Sequence, residues 1–117
     1  MRVAQHIIRN WLQKLHQLQT DNTELKLRLA KSLERAFSTE ALEDAEYFQT
    51  QLLNRDAAIL LLRRELTSYQ HDPISESREY FQYTDADAES SRWEKGILKM
   101  ELSGLALQQE FDKRMPN

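Results

Sequence analysis

From Ala4 onward, the chain repeats every seven residues in two interleaved sets. Ile8, Leu15, Asn22, Leu29 and Ala36 form one set, and Ala4, Trp11, Leu18, Leu25 and Ser32 form the other. Alternating spacings of four and three residues are the mark of a helix that buries a narrow seam. They predict a first helix over about residues 2–36. Ile7, Leu12 and Leu33 lie beside the seam and widen its apolar stripe, which suits a helix with more than one neighbour.

A second run places Ala41, Phe48, Arg55, Leu62 and Tyr69 in one seam position and Ala45, Leu52, Ile59 and Leu66 in the other. Leu42, Leu53 and Leu60 flank it, and a second helix is expected over about residues 39–70. Between the two runs, Ala36 and Ala41 are five residues apart, a step that fits neither an unbroken heptad nor the usual insertions of three or four. A turn explains it. Ser38 suits an N-cap, Glu40 suits the positive end of the new helix, and Phe37 can staple onto Leu42. A chain reversal there sets Leu29 against Phe48, Leu15 against Leu62 and Ile8 against Tyr69. It also brings Asn22 and Arg55, the polar interruptions of the two seams, into one layer.

The third run is Trp93, Ile97, Met100, Gly104, Leu107 and Phe111, broadened by Leu98 and Leu105. Ser91 with Glu94 three residues on has the form of a capping box, Gly104 permits close approach of another backbone, and Pro116 stands past the end. A last helix is expected over about residues 88–113, after an acidic connector at 71–87 in which Asp72 and Pro73 can start a short helix to about Tyr83.

Composition supports helices over sheets. Of 117 residues, two are Gly and two are Pro, 30% are charged, and the apolar residues are mostly Leu and Ala. A hydrophobic share of 40% and a mean hydropathy of -0.73 supply narrow seams rather than a thick globular core. The length fits one domain, residues 1–117. Without Cys, disulfides, thiolate catalysis and cysteine metal sites are excluded. No apolar run approaches the roughly 18 residues of a membrane span, and the expected location is the cytoplasm.

The net charge of -3 gives no global attraction to nucleic acid, but it is unevenly spread. Residues 1–20 carry Arg2, Arg9 and Lys14 and no acid, whereas 71–92 carry six acids against Arg78 and Arg92. A basic, amphipathic start containing Ile7, Ile8, Trp11 and Leu12 also suits a membrane-surface helix. Its apolar residues nevertheless stay in phase with the seam down to Leu33, which favours a bundle helix. In the hairpin register, Glu40, Glu43, Asp44 and Glu46 face the later part of the first helix and offer it charge partners.

Catalytic chemistry has little to stand on. The positions three before His6, His16 and His71 are Val3, Gln13 and Ser68, so the Glu-x-x-His pairs of a di-metal carboxylate bundle are absent. No phosphate-cradling Gly loop, nucleophile elbow or zinc-protease motif can be assembled. The expected protein is noncatalytic, with no cofactor, metal or small-molecule substrate.

Asn22 among Leu15, Leu18, Leu25 and Leu29 resembles a leucine zipper over about four heptads. Only Arg2 and Arg9 precede Trp11, so the basic DNA-reading helix such a resemblance would imply has no counterpart. Over a longer span, WLQKLHQLQTDNTELKLRL and EDAEYFQTQLLNRDAAILLLRREL, followed by a final helix, resemble small uncharacterised bacterial coiled-coil proteins. That resemblance implies no activity and no site residues.

The sequence therefore predicts an all-α protein in which two long helices form an antiparallel coiled-coil hairpin and a third packs along it, an elongated three-helix bundle. Its expected role is protein–protein interaction or assembly, with a protein partner or a homo-oligomer. Asn22 and Arg55 are expected to set register, and Ile7, Leu12, Leu53, Leu60, Leu98 and Leu105 to form the partner surface. Two other expectations stand beside it. One is attachment of residues 1–20 to anionic membrane; the other, weaker one is nucleic-acid binding through Arg2, Arg9, Lys14, Lys26, Arg28 and Lys31.

Overall fold

A computed structural model describes the backbone of residues 3–35, 38–71 and 79–115, and their side chains except those of 71 and 79–89. Three helices account for nearly all of it: α1 (Gln5–Leu33), α2 (Thr39–His71) and α3 (Glu79–Arg114). The molecule is a rod of 60 × 20 × 19 Å. That length fits helices of 29, 33 and 36 residues laid side by side at about 1.5 Å per residue.

The α1–α2 turn forms as the spacing predicts. Ser38 Oγ accepts the Ala41 N–H at 3.1 Å, and the Ser38 carbonyl accepts the Leu42 N–H, so Ser38 caps α2 with Glu40 in its first turn. Ala36 and Phe37, and with them the Ala36–Ala41 contact and the Phe37 staple, lie outside the described residues. The antiparallel register is marked along the whole pair. The Val3 N–H reaches Tyr69 Oη at 3.1 Å, Gln70 Nε2 reaches Gln5 Oε1 at 3.0 Å, and Arg63 donates to Gln19 at 3.1 Å.

α3 runs antiparallel to α2 and parallel to α1. Arg92 pairs with Glu65 at one end and Arg114 with Asp44 at the other, while Lys14–Glu101 and Arg28–Asp112 tie α3 to α1. An up-down-up bundle follows, with α1 packed most extensively on α2. The third helix differs from its sequence-based bounds, because it begins at Glu79 rather than about residue 88. Residues expected to belong to an acidic connector thus continue the helix, and the Ser91–Glu94 pattern falls inside it rather than at its cap. Adding residues to an established helix costs far less than nucleating one, so local polarity alone does not end it. The Asp72–Pro73 start and Pro116 lie outside the described residues.

The seam residues make two apolar clusters. One end holds Ile8, Trp11, Leu15 and Leu18 of α1, Ile59, Leu62 and Leu66 of α2, and Trp93 and Ile97 of α3. Trp93 stands edge-on to both Trp11 and Tyr69, with ring centroids 6.1 and 5.2 Å apart. The other end holds Leu25, Leu29, Ala45, Phe48, Leu52, Leu107, Phe111 and Met115. There Phe48 meets Phe111 edge-on at 5.2 Å, and Arg28 covers the Phe111 ring at 4.8 Å.

Candidate functional site

Asn22 and Arg55 stand between the two clusters, where each helix contributes a polar or small residue. Asn22 is 1% exposed. Its Nδ2 donates to the Leu52 carbonyl at 2.9 Å and to Asp56 Oδ1 at 2.6 Å, and Lys26 Nζ closes on the other oxygen of Asp56. The Asn22 side-chain oxygen is buried without a hydrogen-bond partner among the described residues. An orphaned buried acceptor costs about 1–3 kcal/mol.

Arg55 points the other way. Its Nη1 donates to the Met100 carbonyl at 3.2 Å and to Ser103 Oγ at 2.8 Å on α3. Burial lowers its pKa, and the carboxylates of Asp21 and Asp56 oppose that shift; the guanidinium remains a cation. Gly104 lies against it, since a Cβ at that position would fall 2.5 Å from Nη2. The glycine makes room for a side chain, where the sequence suggested room for a backbone. Asn22, Arg55 and Gly104 share the wall of a cleft of about 320 Å³ that opens between α1 and α3 past Lys14, Asp21 and Glu101.

The structure thus brings Asn22 and Arg55 to one level of the bundle but gives them separate partners. Asn22 joins α1 to α2, and Arg55 joins α2 to α3. Asp56, the residue that receives both Asn22 and Lys26, is the member of this layer that seam spacing does not reveal.

The residues expected to form a partner surface divide. Leu53, Leu60, Leu98 and Leu105 are 55%, 45%, 54% and 56% exposed, and Ile7 is exposed at the rim of the first cluster. Leu12 is half-buried and packs against that cluster, so it belongs to the fold rather than to a free surface. The flanking leucines do not widen the internal seams of α2 and α3, because the heptad positions alone close the core. Leu102, missed in the sequence, is 61% exposed and completes a Leu98–Leu102–Leu105 stripe at steps of four and three on the outer face of α3. The same spacing rule, applied to the face opposite Trp93 and Ile97, would have found it.

The basic start of α1 is absorbed differently. Ile8, Trp11 and Leu15 are buried against α2 and α3, leaving Ile7 as the exposed large apolar residue of the segment among the described residues. Lys14 pairs with Glu101, Lys26 with Asp56 and Arg28 with Asp112, whereas Asp44, expected to face α1, pairs with Arg114 of α3. Arg2 and His71 lie where side chains are not described. Among the described residues, no group of three or more His, Asp or Glu could hold a metal ion, and no helix is long and apolar enough to cross a membrane.

At the far end of the bundle, Glu65 accepts Arg92 at 2.7 Å and the Trp93 indole N–H at 3.1 Å. The Arg92 hydrogen bond is the largest cause of its lowered pKa, with the Trp93 bond adding to it against a desolvation penalty. No family model, no curated protein and no solved structure matches the chain.

Proposed function

We propose that the chain is a noncatalytic protein–protein interaction or assembly module that acts in the cytoplasm through its helical surfaces. The observation that supports this reading is the leucine stripe Leu98, Leu102 and Leu105, with each residue more than half exposed on a helix whose opposite face already closes the core. A helix with one apolar face completes a bundle; a second, contiguous one supplies a surface to cover. Leu53, Leu60 and Leu61 extend the same character to α2. In this reading the heptad seams make a coiled-coil scaffold, and the Asn22 and Arg55 layer fixes its register at some expense of stability.

The test is the triple variant Leu98→Glu, Leu102→Glu and Leu105→Glu in the native host. It should keep the helix content and melting behaviour of the parent chain while losing the protein partners that co-purify with the parent. Retention of those partners by a folded triple variant would refute the surface.

A further inference from the structure

The outer face of α2 carries a second heptad, distinct from the one that closes the core. Glu46, Leu53 and Leu60 occupy one position of it, and Thr50, Ala57 and Arg64 occupy the other. All six are exposed. Its acidic end lies toward the turn, its apolar residues lie in the middle, and its basic end lies toward His71. Neither the Glu46 carboxylate nor the Arg64 guanidinium is engaged in an ion pair among the described residues.

That order is self-complementary under a two-fold axis. If a second copy of α2 is laid antiparallel on the first, with the axis at the level of Arg55, the two heptad positions alternate in facing layers as antiparallel helices require. Glu46 then faces Arg64 of the other copy, Leu53 faces Ala57, and Leu60 faces Thr50, each pairing occurring twice. Sliding one helix by a heptad in either direction separates Glu46 from Arg64. Opposite charges at the two ends of an apolar stripe therefore select one register and close the assembly at two chains. The stripe on α3 offers less, because Asp112, the acid that continues it beyond Leu98 and Leu105, is already paired with Arg28 of α1.

We propose that the chain forms an isologous dimer through the outer face of α2, with Glu46 of each copy paired to Arg64 of the other. The inference rests on the reading of the protein as an assembly module and names one of its partners, a second copy. It leaves the α3 stripe free for another protein. A single helix–helix contact offers less than the about 800 Å² per partner of a standard interface, so the dimer is weak and half-associates between about 10 and 300 μM.

Sedimentation equilibrium of the full chain over that concentration range tests it. The parent should move from monomer to dimer without higher species. Leu60→Glu should weaken association by about 100-fold or more, and Glu46→Arg or Arg64→Glu alone by about fivefold. The exchange Glu46→Arg with Arg64→Glu should return association to within about twofold of the parent. Circular dichroism of each variant confirms that the exposed substitutions leave the bundle folded. A parent chain that stays monomeric, an association insensitive to Leu60→Glu, or a charge exchange that fails to restore binding would each overturn the dimer. If the dimer fails while the α3 triple variant still loses its host partners, the assembly reading stands; if that variant also keeps its partners, both fall.

Discussion

Gly104 lies where any other residue would collide with Arg55: a Cβ there would sit 2.5 Å from the guanidinium Nη2, 3.1 Å from Cζ and 3.4 Å from Nη1. Glycine inside a helix is unfavourable by about 1 kcal/mol relative to alanine, and the freed space holds Arg55 on the Met100 carbonyl and Ser103. Gly104→Ala in the parent chain should therefore change stability little, the gain in helix propensity offsetting a displaced guanidinium. In an Arg55→Leu background the same change should stabilise by about 1 kcal/mol. Urea denaturation of the four-membered cycle measures both, and equal effects in the two backgrounds would show that Gly104 and Arg55 are not coupled.

Asn22 and Arg55 share a layer but no hydrogen-bond partner, since one bonds Leu52 and Asp56 and the other Met100 and Ser103. Replacing both with Leu should raise stability, because an orphaned buried acceptor and a half-buried charge are removed together. The two single effects should add to within about 0.5 kcal/mol. Sedimentation of the double variant should show a broader set of species as register is loosened. A destabilised double variant, measured by its urea midpoint, would contradict this account of the layer.

Glu65 links α2 to α3 through Arg92 and the Trp93 indole, and its pKa is lowered from the ordinary value of 4.5. A carboxyl with a depressed folded pKa adds stability that is present in full above the unfolded value and is lost as pH falls through the folded one. The contribution should thus hold through neutral and mildly acidic solution and disappear below about pH 4.5. Melting temperature followed from pH 6 to pH 2 should show a steeper acid decline in the parent than in Glu65→Gln. Fluorescence of Trp93, read in a Trp11→Phe background, should shift over the same acid range where Glu65 is retained and not in Glu65→Gln. Parallel declines would remove Glu65 from the acid response.

Core and outer apolar residues should differ sharply in what they contribute to folding. Phe111 is 1% exposed and stacks edge-on against Phe48 under Arg28, so Phe111→Ala should destabilise by about 3–5 kcal/mol. Leu102, 61% exposed, should tolerate Ala within about 0.5 kcal/mol. Thermal or urea unfolding of the two variants checks the contrast, and a comparable loss at Leu102 would place that residue in the core.

Periodicity in the sequence anticipates the bundle because burial in a helix repeats with the chain. Ile8, Leu15, Asn22 and Leu29 of α1, and Phe48, Leu52, Ile59 and Leu66 of α2, all fall inside as their spacing predicts. The Ser38 cap is readable for a similar reason, since its bonds reach only three and four residues ahead. The beginning of α3 is not readable, because whether polar residues extend a helix depends on the stability of the body they extend. Nor is the pairing of Asn22 with Asp56, because seam reasoning sets seam against seam while a short amide reaches diagonally to the neighbouring position. Met115 closes the second cluster one residue past the end of α3, bonded to the Phe111 carbonyl four residues back, where the heptad of α3 calls for a step of three. The outer leucines are visible in the sequence as flanks, but that they turn away from the core depends on where the other two helices sit.

The lack of cysteine in the chain allows the exposed stripe to be probed directly with a single introduced thiol. Leu98→Cys, compared with Lys31→Cys on the exposed side of α1, should react rapidly in dilute purified protein at both positions. In intact native host cells the thiol at 98 should react about tenfold or more slowly than in the purified chain, while the thiol at 31 keeps its rate. Equal reactivity at 98 in the cell and in dilute solution would mean that nothing covers the leucine stripe, and the α3 surface that carries the proposed role would be contradicted.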